Sequence, residues 1–255
     1  MATALAIDCS NYTGPITPQQ AADLHAAGVR RAIVQIVNPT TLVHRDQIPA
    51  LLGAGIEVEV YVYVWFSSGP QWAADRVAWA CSEAAAWPTI RMVWLDCEQT
   101  GDDTPPFDYV HAPTSPTIRA CVAAVESSGR AAGIYTAGWW WIPGTTNSRE
   151  WAHLPLWNAH YDLDPDLDPV DYGGWTVPRM EQFAGTSTLA GVTMIDLDSY
   201  DPGNAPQPLL DKDTHLAALV SAHWLGGQPY NGVYGRIPVL IGPEDGGLAY
   251  KMWVK

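Results

Sequence analysis

Basic residues are scarce in this chain: 13 Lys and Arg stand against 27 Asp and Glu in 255 residues, a net charge of −14. So acidic a protein is repelled by nucleic acid and by anionic membranes, and neither is expected as a partner. No apolar run approaches the roughly 20 residues of a membrane span. The opening MATALAIDCSNYTG has no basic segment followed by a long apolar one, so no secretory signal is expected and another route must deliver the protein to any target outside the cytoplasm. There are four cysteines, Cys9, Cys81, Cys97 and Cys121, and none forms a CxxC pair, which argues against zinc. All four are read as buried structural thiols, with Cys9 and Cys97 pointing away from the neighbouring aspartates into a helix layer. GxSxG, P-loop and GxGxxG motifs are absent, and the seven histidines show no metal spacing; no cofactor and no metal are expected. Charged residues make up only 16% of the chain against 47% hydrophobic, which allows a sizeable core and excludes general disorder.

What the chain does have is tryptophan, 13 in all, beside many carboxylates. Solubility is the plainer cause of excess acid, and core packing accounts for many indoles. Indole faces that stack on sugar rings and carboxylates that bind hydroxyls also describe a carbohydrate cleft.

The order of elements is informative. Strand-like runs at residues 4–10, 31–37, 56–65, 92–97 and 131–137 alternate with helical stretches near 17–28, 46–52, 71–86 and 113–129. Thr17-Pro18-Gln19-Gln20 is a capping box with Pro at the first helical position. Such alternation implies parallel strands with crossover helices. Three further strand candidates, 154–161, 179–185 and 192–198, are separated by Pro-, Asp- and Gly-rich loops rather than helices, and can still close a barrel. The domain reading is therefore a barrel over 1–201, a linker over 202–212, and an extension over 213–255 with a helix near 214–225 and two short β-like runs.

The sharpest chemical feature is VWLDCEQ, residues 93–99. Asp96 and Glu98 are two apart in a strand, so both face one way, at the C-terminal end where barrel enzymes keep their sites. Two adjacent carboxylates raise one another's proton affinity, and a glycosidase needs one carboxylic acid still protonated near neutrality beside an ionised partner. Asp8 ends the first strand and Asp196 the last, with Asp198 just beyond. Closing the barrel makes those strands neighbours, so Asp8, Asp96, Glu98 and Asp196 are expected to meet at one mouth. Trp65 and Phe66, Tyr135, the loop-like run Trp139-Trp140-Trp141, Trp157 and Gln182-Phe183 are expected around the same rim. Some of these rings plug the barrel end and the rest stack on sugars. His160, close to the rim, is read as structural.

In order and spacing the pieces Ala6-Ile7-Asp8-Cys9-Ser10, Leu95-Asp96-Cys97-Glu98, Ile134-Tyr135-Thr136, Pro155-Leu156-Trp157-Asn158-Ala159, Glu181-Gln182-Phe183 and Ile195-Asp196-Leu197-Asp198 resemble glycoside hydrolase family 25, the Chalaropsis-type lysozymes. The resemblance covers roughly residues 4–200 and implies an α/β fold, an irregular TIM-like (β/α)5(β)3 barrel with a short C-terminal extension. It implies cleavage of the β-1,4 bond between N-acetylmuramic acid and N-acetylglucosamine, with bacterial cell-wall glycan as the partner. Glu98 becomes the general acid. Asp96 becomes the ionised partner, and Asp8 and Asp196 bind sugar and tune the Glu98 proton. Trp65, Tyr135, Trp139, Trp157, Gln182 and Asp198 become substrate contacts. The chain departs from the family after the second strand, where Val34-Gln35-Ile36-Val37-Asn38-Pro39-Thr40 lacks the expected basic and acidic positions, and after the third, at Val64-Trp65-Phe66. A phage lysin or virion-associated wall hydrolase, acting after release or carried on the particle, is the leading expectation. A non-catalytic phage tail or wall-binding module, docked to virion proteins through the extension, is the alternative. A chitinase-like glycosidase ranks third.

Overall fold

The computed structural model describes residues 3–98, 114–203, 238–241 and 249–252. The chain divides into two compact units, Met1–Leu209 and Leu210–Lys255. In the first, eight strands close into a barrel in sequence order. β1 (Ala4–Cys9), β2 (Arg31–Gln35), β3 (Glu57–Tyr63), β4 (Met92–Asp96) and β5 (Ala131–Thr136) are each followed by a helix: α1 (Pro18–Ala26), α2 (His44–Gly53), α3 (Pro70–Ala84), α4 (Thr114–Ser127) and α5 (Gly138–Thr145). β6 (Leu156–Ala159), β7 (Met180–Leu189) and β8 (Val192–Tyr200) complete the wall with no helix between them. This is the (β/α)5(β)3 pattern. The capping box forms as read, with the Gln20 backbone N–H donating to Thr17 Oγ1 and the Thr17 N–H to Gln20 Oε1.

Neighbouring strands from β1 to β7 run parallel, whereas β8 is antiparallel to both β7 and β1. This corrects the expectation that Asp196 sits at the C-terminal end of its strand. Only Ala190 and Gly191 join β7 to β8, with φ of 52° and 76°. Two left-handed residues make a tight hairpin, and a hairpin reverses the chain where a crossover would keep it parallel. Asp196 therefore lies in mid-strand, directly opposite Asp8.

Alternation along each strand builds two cores. Outward residues such as Ile7, Cys9, Val34, Val60, Leu95, Cys97 and Ile134 pack with the helices. Inward residues Ile33, Tyr61, Trp94, Tyr135, Trp157 and Met180 fill the barrel. Cys9, Cys81, Cys97 and Cys121 are all buried and unpaired by disulfides, as read from the sequence. Gly133 is the one inward position of β5 with no side chain, because a Cβ there lies 2.4 Å from the Trp94 ring.

The tryptophan run is not a loop. It forms α5, where Trp140 and Trp141 are fully buried and only Trp139 faces out, 62% exposed. A helix turns about 100° per residue, so three consecutive rings cannot share one face. Phe66 is buried too, its ring centroid 5.0 Å from that of Trp140. In the second unit, β9 (Pro238–Ile241) and β10 (Ala249–Met252) pair antiparallel, matching the two β-like runs at the end of the chain. The linker beyond Gly203 and the helix expected over 214–225 lie outside the described residues.

Candidate active site

The C-terminal ends of the parallel strands form a small cleft of about 110 Å³, lined by Asp8, Asp96, Glu98 and Asp196 with Tyr61, Tyr135, Trp157, Tyr161 and Gln182. A second hollow of about 160 Å³ shares Asp8, Tyr61 and Asp196 and extends past Ser10, Tyr12, Thr186 and Met194. The four acids expected at one mouth are thus brought together.

Each is placed by its strand. Asp8 and Asp96 are the inward residues at the ends of β1 and β4. Glu98 lies just past β4, on a turn anchored twice: Tyr63 donates its hydroxyl to the Glu98 carbonyl, 3.1 Å, and Thr136 Oγ1 donates to the Cys97 carbonyl, 2.8 Å. Asp196 arrives from the reversed β8. Its Oδ1 accepts the Thr186 backbone N–H at 2.5 Å, a bond set up by Thr186 in the left-handed region at φ 49°.

Gln182 organises the floor of this cleft. Its amide N–H group donates to Asp8 Oδ2 at 2.6 Å and Asp196 Oδ2 at 3.1 Å. Its carbonyl accepts hydroxyls from Tyr135 at 2.7 Å and Tyr161 at 2.6 Å. One side chain thus fixes two acids and two phenols. Just beneath, Asp198 is fully buried and accepts the Trp157 indole N–H at 2.8 Å.

The electrostatics follow from burial of like charges. Burial, and then the negative charge of Asp196, pushes the Glu98 carboxyl up to about 7. Asp96 is pushed well above the usual carboxylate range by burial and then by Glu98, and its Oδ1 has no hydrogen-bond partner. Asp8 is raised well above the usual range by burial and then by Asp198 and Asp196, with the Gln182 donor opposing. Asp198 is raised by burial, with the Trp157 donor opposing. Asp196 is raised by burial, with the Thr186 N–H opposing. Among the described residues, every recorded hydrogen-bond donor to these carboxylates is an amide, an indole or a backbone N–H, and none is a cation.

The aromatic expectations divide. Tyr135 and Gln182 line the cleft. Trp157 lines it only as a buried wall, 1% exposed, so it cannot offer a face to a sugar. Asp198 lies below the surface, where it accepts the Trp157 indole N–H and its charge raises the Asp8 carboxyl. Trp65 stands outside the lining, half-buried with its ring against Tyr63, and Trp139 is on the exposed side of α5. Sequence reasoning missed Tyr12, Tyr61, Tyr161 and Thr186. Tyr161 follows β6 as Glu98 follows β4, and that position was the available signal. Thr186 depends on a bulge in β7 that no pattern announces.

A closed α/β barrel whose mouth holds a cluster of buried carboxylates, one of them protonated near neutrality, has the architecture of a glycosidase. The chain belongs to glycosyl hydrolases family 25, whose model matches residues 7–192. Counting factor 50 of Dictyostelium discoideum is 32% identical over 45% of this chain and 37% of that protein. Probable GH family 25 lysozyme 3 of the same organism is 26% identical over 62% of this chain and 32% of that protein. The chain therefore matches only about a third of the length of these relatives. Its fold is that of the bacterial lysozyme from Streptomyces coelicolor, with a TM-score of 0.66 at 19% identity over 84% of this chain and 99% of the other. The muramidase from Trichobolus zukalii superposes with a TM-score of 0.59 at 20% identity, over 86% and 99% of the two chains.

Proposed function

We propose that the chain is a muramidase: it hydrolyses the β-1,4 bond between N-acetylmuramic acid and N-acetylglucosamine in bacterial cell-wall glycan. The observation that carries this reading is Glu98, a carboxyl held protonated to about pH 7 by burial and by Asp196, at the mouth of a family 25 barrel.

In the forward step Glu98 gives its proton to the glycosidic oxygen as the bond to the anomeric carbon breaks. The positive charge that develops on the sugar is met by the surrounding carboxylates. Asp196 is the one best prepared to stay ionised, because a backbone N–H and the Gln182 amide both donate to it. Asp96 lacks such donors on Oδ1 and sits next to Glu98, so it shares the Glu98 proton and orients the substrate rather than standing as a permanent anion. Water then adds its hydroxyl to the anomeric carbon and its proton returns to Glu98. Tyr61 and Tyr135 stay neutral, since burial and the nearby acids push both phenols far up. They serve as hydrogen-bonding groups. Tyr12, 76% exposed at the edge of the wider hollow, supplies an aromatic face there.

The outcome this reading must be told apart from is a wall-binding module that keeps the barrel without its activity. Turbidity loss of purified peptidoglycan, with wild type and Glu98→Gln, separates the two. Clearing by wild type that is lost in the variant supports the muramidase. Folded wild type that leaves the wall intact overturns it, and sedimentation with the wall then tests the binding module.

A further inference from the structure

On the outer wall of the barrel, away from the cleft, a second group of ionisable side chains converges. His160 follows β6, and Asp162 and Asp168 lie on the long connection to β7. One ligand atom from each lies within 4.8 Å of the others. Glu181 comes from β7 itself, facing outward where Gln182 faces in. The distances centre on His160 Nδ1: 3.2 Å to Asp168 Oδ2, 3.7 Å to Glu181 Oε1 and 3.8 Å to Asp162 Oδ2.

Glu181 is the telling member. Its side chain is fully buried, yet Oε1 has no hydrogen-bond partner. A buried carboxylate oxygen left so is costly unless something binds it. The other oxygen, Oε2, is pinned by the Asn158 amide at 3.0 Å, and Asn158 is pinned in turn by the Tyr172 hydroxyl at 2.7 Å. This chain of donors aims Oε1 toward His160. Outer-shell hydrogen bonds of this kind orient the ligands of metal sites.

A protonated imidazole does not account for the arrangement. Nδ1 can direct one proton at one acceptor, and Asp168 is nearest, so the ring cannot also serve Glu181 Oε1 and Asp162 Oδ2; Asp162 Oδ1 takes the Asp164 backbone N–H, and the Asp168 backbone N–H lies against the Glu181 carboxylate. A cation at the centre serves all four. Two ligand atoms each about 2.1 Å from one ion stand about 3.0–4.2 Å apart in tetrahedral or octahedral geometry, and the observed separations from Nδ1 fall in that interval.

We propose that His160, Asp162, Asp168 and Glu181 form a binding site for a first-row divalent metal ion of the Zn2+ or Mn2+ class. One imidazole with three carboxylates lies between the nitrogen-rich sets of zinc and the all-oxygen sets of magnesium and calcium. The ion ties the helix-free connection between β6 and β7 to the barrel wall. Tyr161, next to His160, reaches into the cleft from the same stretch of chain, so the site also holds a cleft residue in place.

The test is equilibrium dialysis of the metal-stripped full chain against Zn2+ or Mn2+, followed by metal analysis and thermal melting. Wild type should take up one ion per chain and melt about 5–10 °C higher at roughly a hundredfold excess over Kd. Glu181→Gln and the exposed His160→Ala should each weaken binding about tenfold or more. Asp164→Asn, in the same acidic loop but outside the set, should bind like wild type. The proposal is overturned if wild type takes up no ion. It is also overturned if Glu181→Gln and His160→Ala bind as well as wild type, or if Ca2+ binds as tightly as Zn2+ with Asp164→Asn as damaging as His160→Ala. The last result marks an oxygen-only loop site.

Discussion

The two ends of the barrel interior treat buried charge in opposite ways. Below the aromatic layer, Glu59 is buried between two arginines. It accepts from Arg179 Nη2 at 3.1 Å, lies 3.6 Å from Arg31 Nε, and takes the Trp94 indole N–H at 2.6 Å. Arg31 in turn lies over the Tyr200 ring and donates to Glu57 at 2.8 Å. At the mouth, Asp8, Asp96, Glu98, Asp196 and Asp198 crowd together with no cation among their described partners. The same inward alternation of strand residues produces both ends. The floor is built so that its charges can stay charged, whereas the mouth is built so that some of its charges cannot. A protein gains no stability from the second arrangement, so its use lies in the proton it keeps in reach.

The sharpest way to break this comparison is to remove that proton. Glu98→Gln keeps the shape of the carboxylic acid but cannot donate as an acid, and peptidoglycan clearing should fall by about 100- to 10,000-fold while the melting temperature holds or rises. An equal loss of melting temperature would make Glu98 a structural residue.

At the other end, Glu59→Gln should leave chemistry alone and damage the fold. Two buried guanidinium groups would lose their shared counter-charge, at a cost of about 3–5 kcal/mol. Urea denaturation should show that loss. A change below about 1 kcal/mol would mean that the floor is not a charge-compensated plug.

How far was this contrast written in the sequence? The mouth was legible for Asp8, Asp96 and Glu98 because strand alternation puts them at the C-terminal ends of parallel strands, whereas Asp196 reaches it from the middle of the reversed β8, not from the strand end the sequence suggested. The barrel pattern itself was legible from helix caps and the change of rhythm after residue 137. The floor was not. Arg31 and Glu59 come from β2 and β3 and Arg179 from the residue just before β7, and only the shear of a closed barrel sets them at one height. The direction of β8 was also hidden, since it depends on two left-handed residues at Ala190 and Gly191. Which rim tryptophans fill the barrel and which face the cleft was not legible either: Trp140, Trp141 and Trp157 are buried, because a ring of that size is equally good filling for a barrel and its helix layer. His160, Asp162, Asp168 and Glu181 show no metal spacing in the sequence because the decisive carboxylate belongs to the next strand.

The third way to sharpen the comparison is pH. With Glu98 held at about 7, activity depends on its protonated form. The rate should therefore fall about tenfold per pH unit above that point. The falling limb should vanish in whatever residual activity Glu98→Gln retains. If removing the Asp196 charge with Asp196→Asn moves the limb to lower pH, Asp196 is the neighbour that holds the proton on Glu98. A limb that stays put points to burial alone.

The smallest effect concerns stability, and its sign differs between the ends. Asp96 has a folded-state proton affinity raised above its unfolded value by burial and by Glu98. Its contribution is therefore fully present below about pH 4, the unfolded range, and is lost as pH rises toward and through the folded value. Asp96→Asn removes that loss, since the amide is neutral at every pH. The variant should match wild type near pH 4 and become more stable as pH rises toward 7, by about 1 kcal/mol or 2–4 °C in Tm, while clearing the wall more slowly. A gain in stability that grows with pH shows that the mouth is strained by its own charge, in contrast to the floor. A variant less stable than wild type at neutral pH would show instead that Asp96 stays ionised in the fold, and would return to it the role of permanent anion proposed above for Asp196.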